Sequence, residues 1–175
     1  MKIIYKDGVV AECPQEEELH VLRHTAAHIM AQAIKRLYPQ ADFAFGPATE
    51  NGFFYDVDLG DTKLSDEDLA SIEKEMKKII KKGDKLEYFT LPKDEAIKLM
   101  TERDEPYKVE MIKEHGDDET LSFYQQGDFT DLCAGPHLMA TGTIKAFKLL
   151  SCTGAYWRGS EKNKMLSRVY AVAFP

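Results

Sequence analysis

The chain has 175 residues, of which 43% are apolar and 30% charged, a balance that is typical of one compact globular domain. No apolar run approaches the roughly 18–20 residues of a membrane-spanning helix, and the N-terminus lacks the features of a secretory signal. The three cysteines are odd in number and irregularly spaced, which favours reduced thiols and a cytoplasmic location. The formal net charge of −7 argues against a broad nucleic-acid surface, so any RNA contact is expected to be local.

The first part of the chain divides into a short N-terminal segment and a helix. Residues 2–10 alternate around Asp7-Gly8, which predicts a hairpin, and an acidic linker follows. We therefore expect residues 1–20 to form a hairpin and linker and residues 21–175 to form the main domain. Residues 21–38 predict a helix that is stopped by Pro39, and residues 43–59 predict strands.

The rest of the chain reads first as helices and then as strands. Ser65 and Asp68 predict a capping box for a helix that ends at Gly83, and further helices are predicted over 93–103 and 106–112. From Leu121 the pattern predicts strands, in the runs LSFYQ, DFTDLC, FKLLSC, GAYWRG and LSRVYAVAF. The expected class is α+β, with helices packed on an antiparallel sheet.

One basic run stands out against the acidic composition, in and just after the second predicted helix. It consists of Lys77, Lys78, Lys81, Lys82 and Lys85. A solvated helix face explains this run at least as well as a phosphate-binding site does.

Two histidines stand on the first predicted helix, away from its apolar stripe. At about 100° per residue the stripe comprises Leu22, Ala26, Ile29, Ala33 and Leu37. His24 and His28 lie one turn apart and point roughly opposite it. They are either two surface histidines or part of a second helix face that lines a cleft.

A second group of polar residues follows a predicted strand, in the run DLCAGPH at 131–137. Cys133 and His137 are four residues apart and are separated by a Gly-Pro turn. Together with His24 and His28 they supply three imidazoles and a thiol, a set that could bind zinc tetrahedrally. The same groups could instead hold water and a polar substrate without a metal.

These motifs resemble those of the editing domain of bacterial-type threonyl-tRNA synthetases. The resemblance covers about residues 21–174 and rests on five runs in order: HTAAH at 24–28, GFFYDVD at 52–58, PYK at 106–108, DLCAGPH at 131–137 and GAYWRG at 154–159. It implies that the chain hydrolyses the ester of serine mischarged onto threonine tRNA. The implied partner is the acceptor end of that tRNA, and no cofactor is expected, although zinc is possible.

The resemblance also implies roles for individual residues. His24 would position or deprotonate the attacking water, and Lys108 would stabilise the oxyanion or protonate the leaving ribose oxygen. The substrate-binding residues would be His28, Tyr55, Asp131, Cys133 and His137, with Asp131 receiving the amino group of serine. Trp157 and Arg158 could stack on or pair with the RNA end, or could merely pack at the rim.

The chain departs from the family pattern at its two ends. The run MKIIYKDGVV resembles the opening hairpin of the family's ubiquitin-like leader, but twenty residues are too few for that leader. The family also continues beyond the equivalent of Pro175 into synthetic and anticodon-binding domains, so aminoacylation is expected to lie elsewhere.

Two other interpretations stay open at this point. Alanyl-tRNA editing proteins share the HxxxH and CxxxH pattern and carry zinc, but they lack GAYWRG and typically have glycine-threonine-histidine in place of Gly135-Pro136-His137. The third interpretation is a non-catalytic module that binds zinc or tRNA.

Overall fold

The computed structural model describes residues 1–175, and its four helices confirm the four that the sequence predicts. They are α1 (Glu18–Leu37), α2 (Asp66–Lys82), α3 (Lys93–Glu102) and α4 (Pro106–Lys113). None of them combines the length and the apolar character that crossing a membrane requires.

Ten strands form three antiparallel sheets. This confirms the α+β class, but the strands are divided among more sheets than expected. The first sheet joins β1 (Lys2–Ile4), β2 (Val10–Glu12) and β8 (His137–Leu138) in the order β2-β1-β8. The second joins β3 (Asp42–Phe43), β4 (Phe53–Asp58), β9 (Ala146–Tyr156) and β10 (Met165–Phe174) in the order β3-β4-β10-β9. The third joins β5 (Leu86–Pro92), β6 (Thr120–Gln126) and β7 (Phe129–Leu132) in that order.

The central element is α1, which is buried on nearly all sides because it contacts α2, β4, β8 and β10. Ala27 and Ala31 lie outside the predicted apolar stripe, yet they are 0% exposed. Small side chains there let the neighbouring elements approach the helix closely. Leu37, by contrast, is 39% exposed where the helix leaves the core. The apolar stripe thus understated the burial of α1, and any polar side chain in its middle faces the protein interior.

Helix α2 has the termini that its sequence predicts. The Ser65 hydroxyl accepts from the Asp68 backbone N–H, the Asp68 carboxylate accepts from the Ser65 backbone N–H, and Gly83 ends the helix with φ +70°. The apolar residues Leu69, Ile72, Met76 and Ile79 are buried, and each stabilises the fold by roughly 1.5–3 kcal/mol. All five lysines of the basic run are exposed, as a solvated face requires.

Strand β5 was missed in the sequence because it is flanked by turn and helix signals. Its run LEYFTLP is rich in aromatic and β-branched residues, but it lies between Gly83 and the helix start at Lys93. In the structure it pairs along its whole length with β6, from Leu86 opposite Gln126 to Pro92 opposite Thr120. This pairing holds β6 and β7 in place, and β7 carries Asp131.

The N-terminal hairpin packs directly behind the segment that contains His137. Strand β1 pairs with β8, so that Ile4 lies opposite His137 and Ile3 lies opposite Leu138. The Tyr124 hydroxyl also donates to the Ile4 carbonyl at 2.9 Å. The hairpin therefore helps to fix the position of His137.

A buried carboxyl joins the start of α4 to the second sheet. Glu105 is 8% exposed, and its Oε1 accepts the backbone N–H of Phe43 at 2.9 Å. Burial raises the pKa of Glu105 to about 7, although the hydrogen bond from Phe43 and the charge of Lys35 act in the opposite direction. This contact sets the position of α4, which carries Lys108.

We predict that Glu105→Gln stabilises the protein at pH 8. The folded pKa of about 7 exceeds the usual 4.5. The protonated carboxyl therefore contributes stability that is complete below pH 4.5 and is lost as the pH rises through 7. Glutamine keeps the acceptor for Phe43 without a proton to release, so the variant should be about 1–3 kcal/mol more stable than the parent at pH 8. Urea denaturation of both proteins at pH 4.5 and pH 8 measures this difference, and an identical pH dependence would contradict it.

Candidate active site

A cavity of about 260 Å³ opens between α1, α4, the segment leading into β4 and the end of β7. Its lining residues are His24, His28, Phe45, Gly46, Pro47, Tyr55, Lys108, Asp131, Leu132, Cys133, Ala134 and Gly135. The structure thus brings together six of the seven predicted site residues, and His137 lies behind the cavity in contact with Cys133.

The two histidines of α1 meet the cavity one turn apart, with ring centroids separated by 5.4 Å. His24 is partly buried, whereas His28 is 2% exposed. Burial lowers the pKa of His24 to about 4, although a hydrogen bond with the backbone of Pro136 acts in the opposite direction. Burial likewise lowers the pKa of His28 to about 3, against the attraction of Asp131. Both imidazoles are therefore neutral at pH 7, and each has a nitrogen lone pair that can accept a hydrogen bond.

Lys108 and Asp131 form a buried ion pair in the wall of the same cavity. Lys108 Nζ lies 2.8 Å from Asp131 Oδ1, and the two side chains are 4% and 3% exposed. Lys108 Nζ also donates to the Tyr55 hydroxyl at 2.9 Å, and that hydroxyl donates to Asp131 Oδ2 at 2.6 Å. Helix α4, β7 and β4 each contribute one member of this closed triangle.

The triangle leaves some hydrogen-bonding capacity for a ligand. An ammonium group has three donors, and Lys108 uses two of them within the triangle. Asp131 Oδ2 also lies 3.4 Å from His28 Nε2. Burial alone would raise the pKa of Asp131, but the charge of Lys108 and the hydrogen bonds from Lys108 and Tyr55 keep it below its ordinary value. Asp131 is therefore ionised, and a substrate amino group would have to share it with these three partners.

Cys133 contacts one histidine of each motif, His137 of CxxxH and His24 of HxxxH. Its Sγ lies 3.3 Å from His24 Nε2 and 3.2 Å from His137 Nε2, and it accepts the backbone N–H of Gly135 at 3.2 Å. Burial raises the pKa of the thiol to about 12, so it is protonated at pH 7. Burial and the neighbouring histidines lower the pKa of His137 well below its ordinary value.

The same side chains could hold a metal ion. One ligand atom each from His24, His28, Cys133 and His137 all lie within 4.8 Å of one another. Three imidazole nitrogens and one sulfur suit tetrahedral zinc, which favours nitrogen and sulfur ligands. The residues present therefore fit zinc, and Asp131 would lie next to the ligand His28.

The structure adds site residues that the sequence analysis did not identify. Thr25 is 0% exposed, and its hydroxyl contacts His137 Nδ1 at 2.9 Å. Gly46 lines the cavity, and a Cβ there would overlap the ring of Tyr55, so the absence of a side chain lets that ring reach Asp131. The position of Thr25 within HTAAH was visible, but its partner is more than a hundred residues away and no local pattern reveals it.

Trp157 and Arg158 do not line the cavity. Trp157 is 8% exposed, packs against Tyr107 and donates from Nε1 to Glu110 at 2.9 Å. Arg158 is ion-paired with Glu114. The sequence left open whether these two side chains contact the RNA end or pack at the rim, and this arrangement favours packing at the rim.

Comparison with known proteins finds similarity to threonyl-tRNA synthetases. A family model described as the threonyl and alanyl tRNA synthetase second additional domain matches residues 121–170, which include Asp131, Cys133 and His137. The threonine–tRNA ligase of Acetivibrio thermocellus is 64% identical over 152 residues, which is 87% of this chain and 24% of that protein.

Two clostridial relatives extend this likeness over nearly the whole chain. The threonine–tRNA ligase of Clostridium tetani is 59% identical over 159 residues, which is 91% of this chain and 25% of that protein. The enzyme of the same name from Clostridium botulinum strain Langeland is 54% identical over 176 aligned residues, which is 99% of this chain and 28% of that protein. The chain spans about a quarter of the length of these curated relatives. It belongs to the threonyl-tRNA synthetase family, and it corresponds to the part of those proteins that carries the second additional domain.

Proposed function

We propose that the chain hydrolyses the ester of serine mischarged onto threonine tRNA, as the proofreading module of a threonine–tRNA ligase. The observation that carries this proposal is the pairing of a neutral imidazole, His24, with a buried ammonium, Lys108, across one small cavity. Ester hydrolysis needs one group that holds water and another that stabilises negative charge on the carbonyl oxygen. The negative net charge restricts RNA contact to the acceptor end, and the ligase's other domains would supply the remaining tRNA contacts.

In the proposed reaction the water attacks the carbonyl carbon and the bond to the ribose oxygen breaks. His24 accepts a hydrogen bond from the water, and the proton that the water loses passes to the leaving ribose oxygen. An imidazole whose pKa is about 4 is a weak base, so His24 contributes more by positioning the water than by removing its proton. The products are free serine and a tRNA with its terminal hydroxyl restored.

Lys108 faces the developing negative charge in this scheme. Two of its donors are held by Asp131 and the Tyr55 hydroxyl, and the third is available to the carbonyl oxygen. Because the site is buried, one such charge-assisted hydrogen bond stabilises the transition state far more than it would in water. A lysine held in this way needs no rearrangement at the moment of reaction.

The remaining residues would bind and orient the substrate. Asp131 is the only carboxylate that lines the cavity, which makes it the natural partner for the serine ammonium group. Tyr55 would hold Asp131 and close the pocket. His28 and Cys133 would form the polar wall next to the serine side chain, and His137, which lies behind the cavity, would support Cys133.

Size provides the basis for choosing serine over threonine. A synthetic site that selects the threonine hydroxyl cannot strongly reject serine, because one missing methyl group changes binding by only about 1–3 kcal/mol. A second site must therefore admit serine and exclude threonine. A wall of closely packed rings can do so, since an extra methyl group in a tight site costs roughly 1–3 kcal/mol and also displaces the ester from its water.

We predict that the chain deacylates seryl-tRNA for threonine at least about 100-fold faster than threonyl-tRNA. Time courses on the two charged tRNAs, run side by side with the same enzyme preparation, measure the ratio. A tRNA acylated with alanine, whose side chain is smaller than that of serine, shows whether the enzyme hydrolyses any ester that is small enough to enter the site. Comparable rates on the seryl and threonyl substrates would refute the proofreading role, because such an enzyme would destroy the correct product.

The second candidate function is a zinc-dependent deacylase of the alanyl type, or a non-catalytic module that binds zinc or tRNA. The observation in its favour is the cluster of His24, His28, Cys133 and His137. Zinc bound there would polarise a carbonyl or lower the pKa of a bound water. Against the alanyl type, the chain has Gly135-Pro136-His137 and the run GAYWRG, as the threonyl type does, and we propose that the site works without a metal.

We expect purified protein to contain negligible zinc and to keep its deacylase activity after treatment with a chelator. Elemental analysis gives the metal content, and the seryl-tRNA assay before and after chelation gives the activity. Thermal unfolding of the same samples tests the structural alternative, because a domain folded around zinc would lose stability on chelation. One tightly held zinc per chain, with activity lost on its removal, would favour the alanyl-type mechanism.

A further inference from the structure

We propose that Arg23 is a positioning residue that makes the cavity selective for size, because it clamps the 44–52 loop to helix α1. The 44–52 loop is the segment that connects β3 to β4. The clamp itself concerns the protein alone. Its effect on selectivity rests on the proposed deacylation.

The 44–52 loop supplies part of the cavity wall. Phe45, Gly46 and Pro47 line the cavity and lie outside any helix or strand. The Phe45 carbonyl accepts the backbone N–H of Asp56 at 2.9 Å. The Pro47 carbonyl accepts the backbone N–H of Phe54 at 3.3 Å. These two bonds attach the loop to β4, and the distance between the loop and α1 has to be set by another contact.

Arg23 supplies that contact at the tip of the loop. Its Nη1 donates to the Glu50 carbonyl at 2.7 Å and to the Thr49 carbonyl at 3.4 Å. Arg23 is 6% exposed, so water competes little for these bonds, and a charge-assisted bond is roughly twice as strong as one between neutral groups. The ring of Phe174 covers the guanidinium, with 5.6 Å between Cζ and the ring centroid. The tip is therefore held against the first turns of α1.

The buried charge of Arg23 is costly for a side chain that only fills space. Its partners are two carbonyls and an aromatic ring, and its Nε is buried without a hydrogen-bond partner. Burying a donor without an acceptor lowers stability, and an apolar side chain of similar length would avoid that loss. What the guanidinium contributes in return is a pair of directed bonds to one short segment, which fixes the position of that segment.

The clamp fixes the width of the cavity next to His24. Arg23 and His24 are consecutive residues of α1, so a loop held by Arg23 is also fixed relative to the imidazole of His24. On the other side Gly46 lies so close to Tyr55 that a Cβ would overlap the ring. The loop thus has little freedom to move towards β4 or away from α1. Threonine brings one methyl group more than serine, which a fixed wall rejects and a yielding wall accommodates.

Arg36 provides a matched control because it is the other arginine of α1. It is ion-paired with Glu75 and Asp128, neither of which lines the cavity. Arg36→Met therefore removes a guanidinium from the same helix without touching the 44–52 loop, whereas Arg23→Met removes the clamp and keeps a long apolar side chain.

The first test measures the clamp without any substrate. The amides of Thr49 and Gly52 bond across the tip of the loop, to the Gly52 carbonyl and to Thr49 Oγ1. We expect both amides to exchange with solvent at least about 10-fold faster in Arg23→Met than in Arg36→Met, with the amides of β10 as the internal reference. Equal exchange in the two variants, measured by NMR, would show that the tip does not depend on Arg23 and would overturn the proposal.

The second test measures selectivity as the ratio of kcat/KM for seryl-tRNA to that for threonyl-tRNA. We expect this ratio to fall from about 100 or more to about 10 or less in Arg23→Met, and to change less than about 3-fold in Arg36→Met. A variant that is merely less stable loses the same fraction of activity on both substrates, so the ratio does not change. An unchanged ratio in Arg23→Met would therefore assign Arg23 to packing alone.

A lysine variant keeps the proposal testable if Arg23→Met does not fold. Arg23→Lys retains the charge but is shorter and lacks the planar fork, so we expect a ratio at least about 3-fold below that of the unaltered protein. An unaltered ratio in folded Arg23→Lys would then overturn the proposal. If the unaltered protein deacylates nothing, or hydrolyses both esters alike, the proposed function fails, and hydrogen exchange at Thr49 and Gly52 still decides whether Arg23 holds the loop.

Discussion

The Lys108–Asp131 ion pair is removed from water, and the geometry of the cavity depends on it. Both side chains are less than 5% exposed, so either charge left alone would cost several kcal/mol. The pair persists because Tyr55 adds a hydrogen bond to each partner and closes the triangle. Since α4, β7 and β4 each supply one corner, the triangle fixes these three elements relative to one another.

The second constraint comes from α1, which is buried deeply enough to keep its histidines neutral. A surface helix would leave His24 and His28 with pKa values near 6.5, whereas burial lowers them to about 4 and about 3. An ionised carboxylate and a neutral imidazole therefore coexist at pH 7 within one small cavity. Strongly perturbed groups of this kind cluster at functional sites more often than elsewhere. Here the fold places a hydrogen-bond acceptor, His24, and a cation, Lys108, in the wall of one cavity.

The sequence predicted the parts of the fold that local chemistry determines. Ser65 and Gly83 mark the ends of α2, and Pro106 marks the start of α4, because capping and proline geometry act within a few residues. Strand β5 was missed, since its pairing with β6 joins residues that are more than twenty-five positions apart. The burial of α1 was underestimated for the same reason, because β8 and β10 come from the other end of the chain.

In the candidate site, too, short-range sequence patterns identified individual residues, whereas contacts between distant parts of the chain could not be predicted. The spacing of His24 and His28, and of Cys133 and His137, pointed to polar groups that could converge. The resemblance to a known family added Lys108, Tyr55 and Asp131. Neither source indicated that these last three bind one another, nor that Thr25 contacts His137, because such contacts arise only from the tertiary arrangement of the elements.

The claim that His24 positions the attacking water is tested most directly by comparing two histidines of one helix. His24 lines the cavity, whereas His20 lies one turn earlier, is exposed and is absent from the cavity wall. Single-turnover deacylation of seryl-tRNA should be slowed about 100-fold or more by His24→Ala, because the water loses its position against the ester, and changed less than about 3-fold by His20→Ala, with both variants folded by circular dichroism. Near-normal turnover in a folded His24→Ala variant would contradict the account.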